Sequence, residues 1–283
     1  MHMRKAPVQL DEGTTRYITL LKKSLTRSIF EDVYRPLVYH PESLKGRLYP
    51  YLKQFLARFR VEMVKREPFD PKVREVGKDW PAAAETMIGL KRMDNIQECV
   101  LSVLKNNVPG DFIETGVWRG GAVIFMRALL DVCKDKRRIV WAADSFAGLP
   151  KPDEKKYGAD KGDKLHQETT LAVSLEEVKM NFAKYGYLDE QVRFLKGWFK
   201  DTLPNAPIKK LALIRLDGDM YESTMDALTV LYPKLSVGGY VIVDDWCLPA
   251  CKRAVEDYRK AHHITDKIMK VDWASVYWQR SAK

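Results

Sequence analysis

A chain of 283 residues, 46% hydrophobic and 30% charged, holds enough apolar material for one large core or a core with a small accessory domain, which excludes disorder and collagen. Its apolar runs, such as Ala122 to Met126 and Gly239 to Val243, fall far short of the roughly 20 residues of a bilayer-spanning helix, and no secretory signal is legible. Four cysteines without framework spacing suit a reducing compartment, so free thiols and a cytoplasmic location are expected.

The net charge of +10 is unevenly spread: residues 1–80 carry 17 Lys and Arg against 10 Asp and Glu, and residues 81–283 carry 31 against 28. An acidic partner, nucleic acid or membrane surface is therefore a question about the N-terminal segment only. In that segment, from Pro50 onward, Leu52, Phe55, Leu56, Phe59 and Met63 recur at helical spacing among Lys53, Arg58, Arg60, Lys65 and Arg66. This predicts a basic amphipathic helix docked on its own domain or on a subunit neighbour, with a membrane-surface helix as the alternative. Residues 1–80 are accordingly expected to form a helical extension acting as a lid or assembly arm, and residues 81–283 a separate catalytic domain.

Beyond residue 80 strands alternate with helices. Strands are predicted at Asp111–Glu114, Arg138–Asp144, Val192–Gly197, Leu211–Asp217 and Gly239–Asp244, with short ones at Ile268–Val271 and Val276–Gln279. Helices are predicted at Ala122–Cys133, Ser174–Tyr185, Ser223–Leu235 and Pro249–Ala261. Lys151–Leu171 is polar and charged, and reads as a mobile loop of lid length. Strands apolar on both faces and separated by helices imply a doubly wound α/β domain with a mostly parallel sheet. Ligands of such sheets bind beyond the carboxyl ends of the strands, where this chain carries Glu114, Asp144, Gly197-Trp198, Asp217, Asp219, Asp244 and Asp245.

The turn Glu114-Thr-Gly-Val-Trp-Arg-Gly-Gly121 joins strand to helix, and Asp144 ends the next strand. That is the layout of a nucleotide site in which the second acid meets a ribose, although the glycine spacing is not the dinucleotide fingerprint. A carboxylate at Glu114 repels a pyrophosphate but suits an ammonium group, which favours S-adenosylmethionine over NAD or ATP. A ring at Trp198 can meet an adenine, or can belong to the core. Asp217, Asp219, Asp244 and Asp245 converge if their strands are neighbours, and four carboxylates at close range call for a cation, with Mg²⁺ or a similar hard ion suited to oxygen ligands. Capping of the following helices is the alternative for any one aspartate. Cys247 and Cys251, four residues apart and lacking a second pair, do not make a zinc site.

Five strings in order carry a resemblance: Glu114–Gly121, Asp144-Ser-Phe-Ala-Gly-Leu-Pro150, Lys196-Gly-Trp-Phe-Lys-Asp-Thr-Leu203, Leu216-Asp-Gly-Asp-Met-Tyr-Glu-Ser-Thr224 and Val243-Asp-Asp245. Across roughly residues 80–250 they resemble the macrocin O-methyltransferase family, whose members methylate deoxysugar hydroxyls of mycinamicin, tylosin and novobiocin. Thr86–Asn95, with Met87, is similar to the family segment bordering cofactor and sugar. The resemblance implies a class I methyltransferase fold with a seven-stranded sheet, and Mg²⁺-dependent methyl transfer from S-adenosylmethionine to a sugar hydroxyl of a glycoside. By it, Glu114 and Gly116 face the methionine part, Asp144 and Ser145 the ribose and Trp198 the adenine, with Met87, Thr115 and Gly197 also at the cofactor. Asp217, Asp244 and Asp245 ligate the metal and Asp219 is the general base, although Asp217 and Asp219 are open to exchange of roles. His166 is a reserve base or a loop histidine, and His40, His262 and His263 read as surface residues. A small-molecule glycoside partner and a homo-oligomer are expected, with no nucleic acid or membrane. The competing readings are a catechol-type O-methyltransferase, and a nucleic-acid or membrane module built on the basic arm.

Overall fold

The computed structural model describes residues 10–31, 33–37 and 43–282. The chain opens with helix α1 (Glu12–Leu25), started by the Asp11 side chain, which accepts from Thr14 N at 2.9 Å. Its Ile18, Leu21 and Leu25 are buried in the same core as the central sheet. Strand β1 (Val33–Pro36) pairs antiparallel with β2 (Val64–Glu67), and helix α2 (Leu44–Ala57) lies between them. The predicted basic helix is thus displaced. It begins upstream of Pro50 at the Ser43 cap and ends at Ala57, Arg60 takes a left-handed φ of 58°, and Lys65 and Arg66 belong to β2. Turn chemistry and strand pairing outweigh the apolar periodicity there. No residue of α2 is buried. Of the histidines expected at the surface, His40 lies outside the described residues.

Helices α3 (Pro71–Glu75) and α4 (Leu90–Lys105) lead into strand β3 (Asp111–Thr115) and helix α5 (Gly121–Val132). Helix α5 is buried on all sides from Gly121 to Leu130, as its apolar residues require, and the one charge in that run, Arg127, is paired with Asp189. There follow β4 (Val140–Asp144), α6 (Leu175–Lys184), β5 (Val192–Lys196), α7 (Phe199–Thr202), β6 (Leu211–Leu216), α8 (Tyr221–Leu231), β7 (Leu235–Val243), α9 (Pro249–Ala261), β8 (Met269–Lys270) and β9 (Val276–Gln279).

Seven strands form one sheet in the order β5-β4-β3-β6-β7-β9-β8. The first five are parallel, and β9 runs antiparallel to β7 and β8. This is the mostly parallel, doubly wound sheet expected, with helices on both faces enclosing two cores. The differences from the predicted boundaries have local causes. Arg138 does not extend β4, because its backbone N–H donates to Asp135 Oδ1 and that of Ile139 to Asp111 Oδ1, which takes both N–H groups out of the ladder. Helix α8 stops at Leu231 and passes through a 3-10 turn at Tyr232–Lys234, where Pro233 has no N–H to donate. Strand β7 starts four residues before the predicted Gly239, because Leu235 already pairs with Leu211 of β6 before a register shift brings Tyr240 opposite Leu213.

The long polar segment after β4 carries three 3-10 turns and is anchored. Buried Asp160 accepts from Tyr221 N at 2.7 Å and Glu222 N at 3.0 Å, capping α8 from a distance, and Trp118 Nε1 donates to Thr170 O at 2.9 Å.

Candidate active site

The carboxyl ends of the parallel strands are stitched edge to edge by backbone bonds that continue past the strands. Gly197 N donates to Asp144 O, Gly116 N to Ala143 O, Asp217 N to Thr115 O and Asp244 N to Leu216 O, all at 2.8–2.9 Å. The acids therefore arrive side by side because strand register places them there. Gly116 is indispensable to this packing: its φ is +89°, and a Cβ on it would stand 1.6 Å from Asp217 O.

Asp217, Asp244 and Asp245 each bring a carboxylate oxygen within 4.8 Å of the others, the single such three-residue group among the described residues. Asp219 joins them from a left-handed position (φ 59°), its N–H donating to Asp245 Oδ2 at 3.0 Å. Beneath the cluster lies Arg215, only 1% exposed. Its guanidinium contacts Glu114 and Asp244 and donates to Asp217 Oδ2 at 2.6 Å. Arg92, also buried, donates to Asp244 Oδ2 at 2.5 Å and to Asp272 Oδ2 at 2.8 Å. Four carboxylates thus share two guanidiniums, with Asp219 and Asp245 beside them, and burial together with the crowded negative charge shows in the acidities. Burial, reinforced by Asp217 and Asp244, pushes Asp219 up to about 8; burial and Asp244 push Asp217 up to about 6. Burial lifts Glu114 to about 8 against the pull of Arg215, and burial beside Asp219 and Asp217 raises Asp245 strongly. Burial works the same way on Asp244, but Arg215 and Arg92 together hold it below the usual carboxylate range.

Two cavities of about 130 Å³ and 220 Å³ meet at this cluster, sharing Met87, Trp118, Leu171, Asp217 and Asp219 as walls. The first runs from Gly116 past Asp144, Ser145 and Gly197 to Trp198, which is 37% exposed and so is not a core residue. The second holds Asp244 and Asp245 on its floor with Trp80, Leu248 and Trp273 around it. The two lobes thus reach the same acids, Asp217 and Asp219, each with further walls of its own.

The model of the macrocin O-methyltransferase (TylF) family matches residues 14–280. The chain belongs to that family. It is an S-adenosylmethionine-dependent O-methyltransferase. It is 48% identical over 275 residues to the demethyldecarbamoylnovobiocin O-methyltransferase of Streptomyces niveus, with 96% of each chain covered. It is 45% identical over 273 residues to the mycinamicin III 3''-O-methyltransferase of Micromonospora griseorubida, covering 95% of this chain and 98% of that one. The solved structure of the O-methyltransferase NovP superposes with a TM-score of 0.81 at 48% identity, covering 95% of this chain and all of that one.

Within this family member the residues expected at the cofactor separate. Met87, Gly116, Asp144, Ser145, Gly197 and Trp198 line the first lobe. Asp144 also braces the glycine turn, since its carboxylate accepts from Val117 N at 2.6 Å and Phe146 N at 2.7 Å. Glu114 is 1% exposed and borders the second lobe, one oxygen held by Arg215 and Oε2 without a partner. Thr115 lines neither lobe, and its carbonyl instead holds Asp217 in place. His166 is half-buried outside both lobes, whereas His262 and His263 are exposed. Cys247 is exposed at the rim of the second lobe and Cys251 is buried.

Arg215, Arg92 and Asp272 are the residues that sequence reading missed. A signal for the first existed: one arginine within Leu211–Leu216, a strand otherwise apolar and buried on both faces, requires buried carboxylate partners. For Arg92 and Asp272, 180 residues apart, no local pattern announces the pairing.

Proposed function

We propose that this enzyme methylates a hydroxyl of a sugar carried on a glycosylated natural product, and that it does so with a hard divalent cation, Mg²⁺ by preference, on Asp217, Asp244 and Asp245. The observation that carries this reading is the meeting of two lobes at one carboxylate cluster, with Asp217 and Asp219 in the wall of both. The name of another relative, 48% identical over 273 residues, supports the sugar acceptor: it is a 4'-O-methyltransferase of a rhamnosyl-tetracenomycin C from Streptomyces olivaceus. The cation is supported by the donor set, which is oxygen-only and carries more negative charge than Arg92 and Arg215 offset; burial first, and the neighbouring carboxylates after it, raise Asp217, Asp219 and Asp245.

When bound, the cofactor supplies the methyl group and the cation supplies Lewis acidity toward the acceptor hydroxyl. The chain's own residues do the rest. Asp144 and Ser145 hold the ribose, Trp198 borders the adenine, and Met87 and Gly116 border the methionine end. Asp219 takes the hydroxyl proton on its carboxylate, in the wall between the lobes. Arg215 keeps Asp217 and Asp244 in place while that proton moves, and the walls shared by the lobes align donor and acceptor.

We assign residues 1–80 to an N-terminal extension of a methyltransferase domain of residues 81–283, with α1 packed into that domain's core and the accessory arm formed by the part around α2. The exposed Leu44, Leu48, Tyr51, Phe55 and Phe59, on and just after α2, support a lid or assembly role for that part, in a homo-oligomer. Among the described residues no helix is long and apolar enough to cross a membrane.

The test is a panel of glycosides and catechols incubated with purified enzyme and S-adenosylmethionine, with and without EDTA. Methylation of a glycoside, abolished by chelator and restored by Mg²⁺, is expected. Full activity in EDTA overturns the metal role, and methylation of catechols but not glycosides overturns the acceptor assignment.

A further inference from the structure

The second lobe has carboxylates on its floor but aromatic carbon on its walls. Trp80 and Trp273 both line it, 50% and 43% exposed, in a chain whose Trp141 and Trp278 are buried. Trp273 differs from an ordinary surface indole in two respects. Its one polar atom is already satisfied, because Nε1 donates to Val76 O at 2.8 Å. What the side chain offers to the lobe is therefore ring surface alone.

Trp273 is also held rigidly with respect to the acids. The preceding Asp272 accepts from Ala274 N and Ser275 N at 2.9 Å each, closing the tight turn that presents the indole between β8 and β9. The other oxygen of Asp272 takes Arg92 Nε, and the same guanidinium reaches Asp244 Oδ2 while its carbon lies 5.5 Å from the Trp273 ring centroid. One arginine thus couples the position of the indole to the position of the carboxylate cluster. Lys78 Nζ, 5.3 Å from the same centroid, adds a donor for an oxygen beside the ring.

A flat, electron-rich face with no free donor is complementary to the C–H face of a saturated ring, whose hydrogens carry partial positive charge. A pyranose has such a face, and its equatorial hydroxyls project sideways in the plane of the ring. A sugar resting on this indole can therefore extend a hydroxyl toward the acids while its apolar face stays covered. We propose that Trp273 is the platform on which the acceptor sugar packs, and that it thereby determines which hydroxyl reaches the carboxylates. This rests on the sugar-acceptor reading above. The C-terminal turn then belongs to the acceptor site, and the specificity of the enzyme is set in part by a segment far in sequence from the methyltransferase motifs.

The experiment compares wild type, Trp273→Ala and Trp273→Phe on a glycoside that the wild type methylates. It measures acceptor KM, the regiochemistry of the product, and S-adenosylmethionine affinity by calorimetry. Loss of the exposed ring area predicts an acceptor KM raised by about 10- to 50-fold in Trp273→Ala. The Phe variant, which keeps a ring face but not the indole N–H, recovers most of that loss. Cofactor affinity stays within twofold in both, which a merely structural role would not predict. An unchanged acceptor KM in Trp273→Ala overturns the platform while leaving the sugar reading intact. The platform also falls if Phe fails to recover KM in a variant that binds cofactor normally. A wild type that methylates no glycoside overturns both.

Discussion

Replacing Arg215 by Met removes one guanidinium and keeps most of the side-chain volume. In the native protein that group is 1% exposed and contacts Glu114, Asp217 and Asp244. Its loss leaves three carboxylates facing one another, Glu114 and Asp244 buried and Asp217 open to the lobes, with only Arg92 remaining on Asp244. Breaking a buried ion pair from one side costs about 3–5 kcal/mol, and Arg215 serves three partners, so the upper part of that range applies. For a chain of this size the melting temperature should fall by roughly 8–16 °C. The loss should also depend on pH, with a sign that follows from the acidities. Glu114 and Asp217 titrate in the folded protein at about 8 and 6, above the ordinary carboxylate range, so the folded state holds more protons than the unfolded chain. Their contribution is present at low pH and is lost as pH rises through that window. Without Arg215 these values rise further, so the variant should be far closer to wild type at pH 5.5 than at pH 8. Adding Glu114→Gln removes one of the stranded charges and should recover part of the stability at pH 8. Calorimetric melting of the three proteins at both pH values, free of divalent ions, measures all of this. A melting temperature within 2 °C of wild type at pH 8, or an equal loss at both pH values, would refute the charge argument.

Three further outcomes are expected. Asp219→Asn should lower kcat by roughly 10²- to 10⁴-fold while cofactor affinity measured by calorimetry is unchanged; retention of most of the wild-type kcat would remove Asp219 from the role of base. Gly116→Ala forces a side chain into a left-handed backbone and against Asp217 O, costing about 3 kcal/mol, visible as a melting point lower by roughly 6–12 °C together with weakened cofactor binding. Asp160→Ala leaves two backbone N–H groups of α8 without their acceptor and should cost about 1–2 kcal/mol, and limited proteolysis should then cut within residues 151–171 faster than in wild type.

Much of the fold is legible locally because its causes are local. Apolar strands of five to nine residues, separated by helices with their own start and stop signals, leave little choice but a parallel doubly wound sheet. The N-terminal arm was less legible. Its apolar residues have helical spacing, but the antiparallel pairing of β1 with β2 and the left-handed Arg60 end the helix early, and these depend on residues 30 positions apart.

The acids at the strand ends could be named from sequence because a parallel sheet brings successive carboxyl ends to one edge; that is a property of the topology, and it does not need atomic detail. What the acids touch could not be read in the same way. That Glu114 is held by Arg215, that Asp244 alone is kept acidic by two arginines, and that Arg92 ties the cluster to Asp272 and the Trp273 turn are contacts across 29 to 180 residues of chain. Periodicity and motif spacing report which face of an element is buried and where a strand ends. The partner waiting across the fold is decided only when the strands are laid side by side, and in this protein those partners set the charge of the site and the position of its walls.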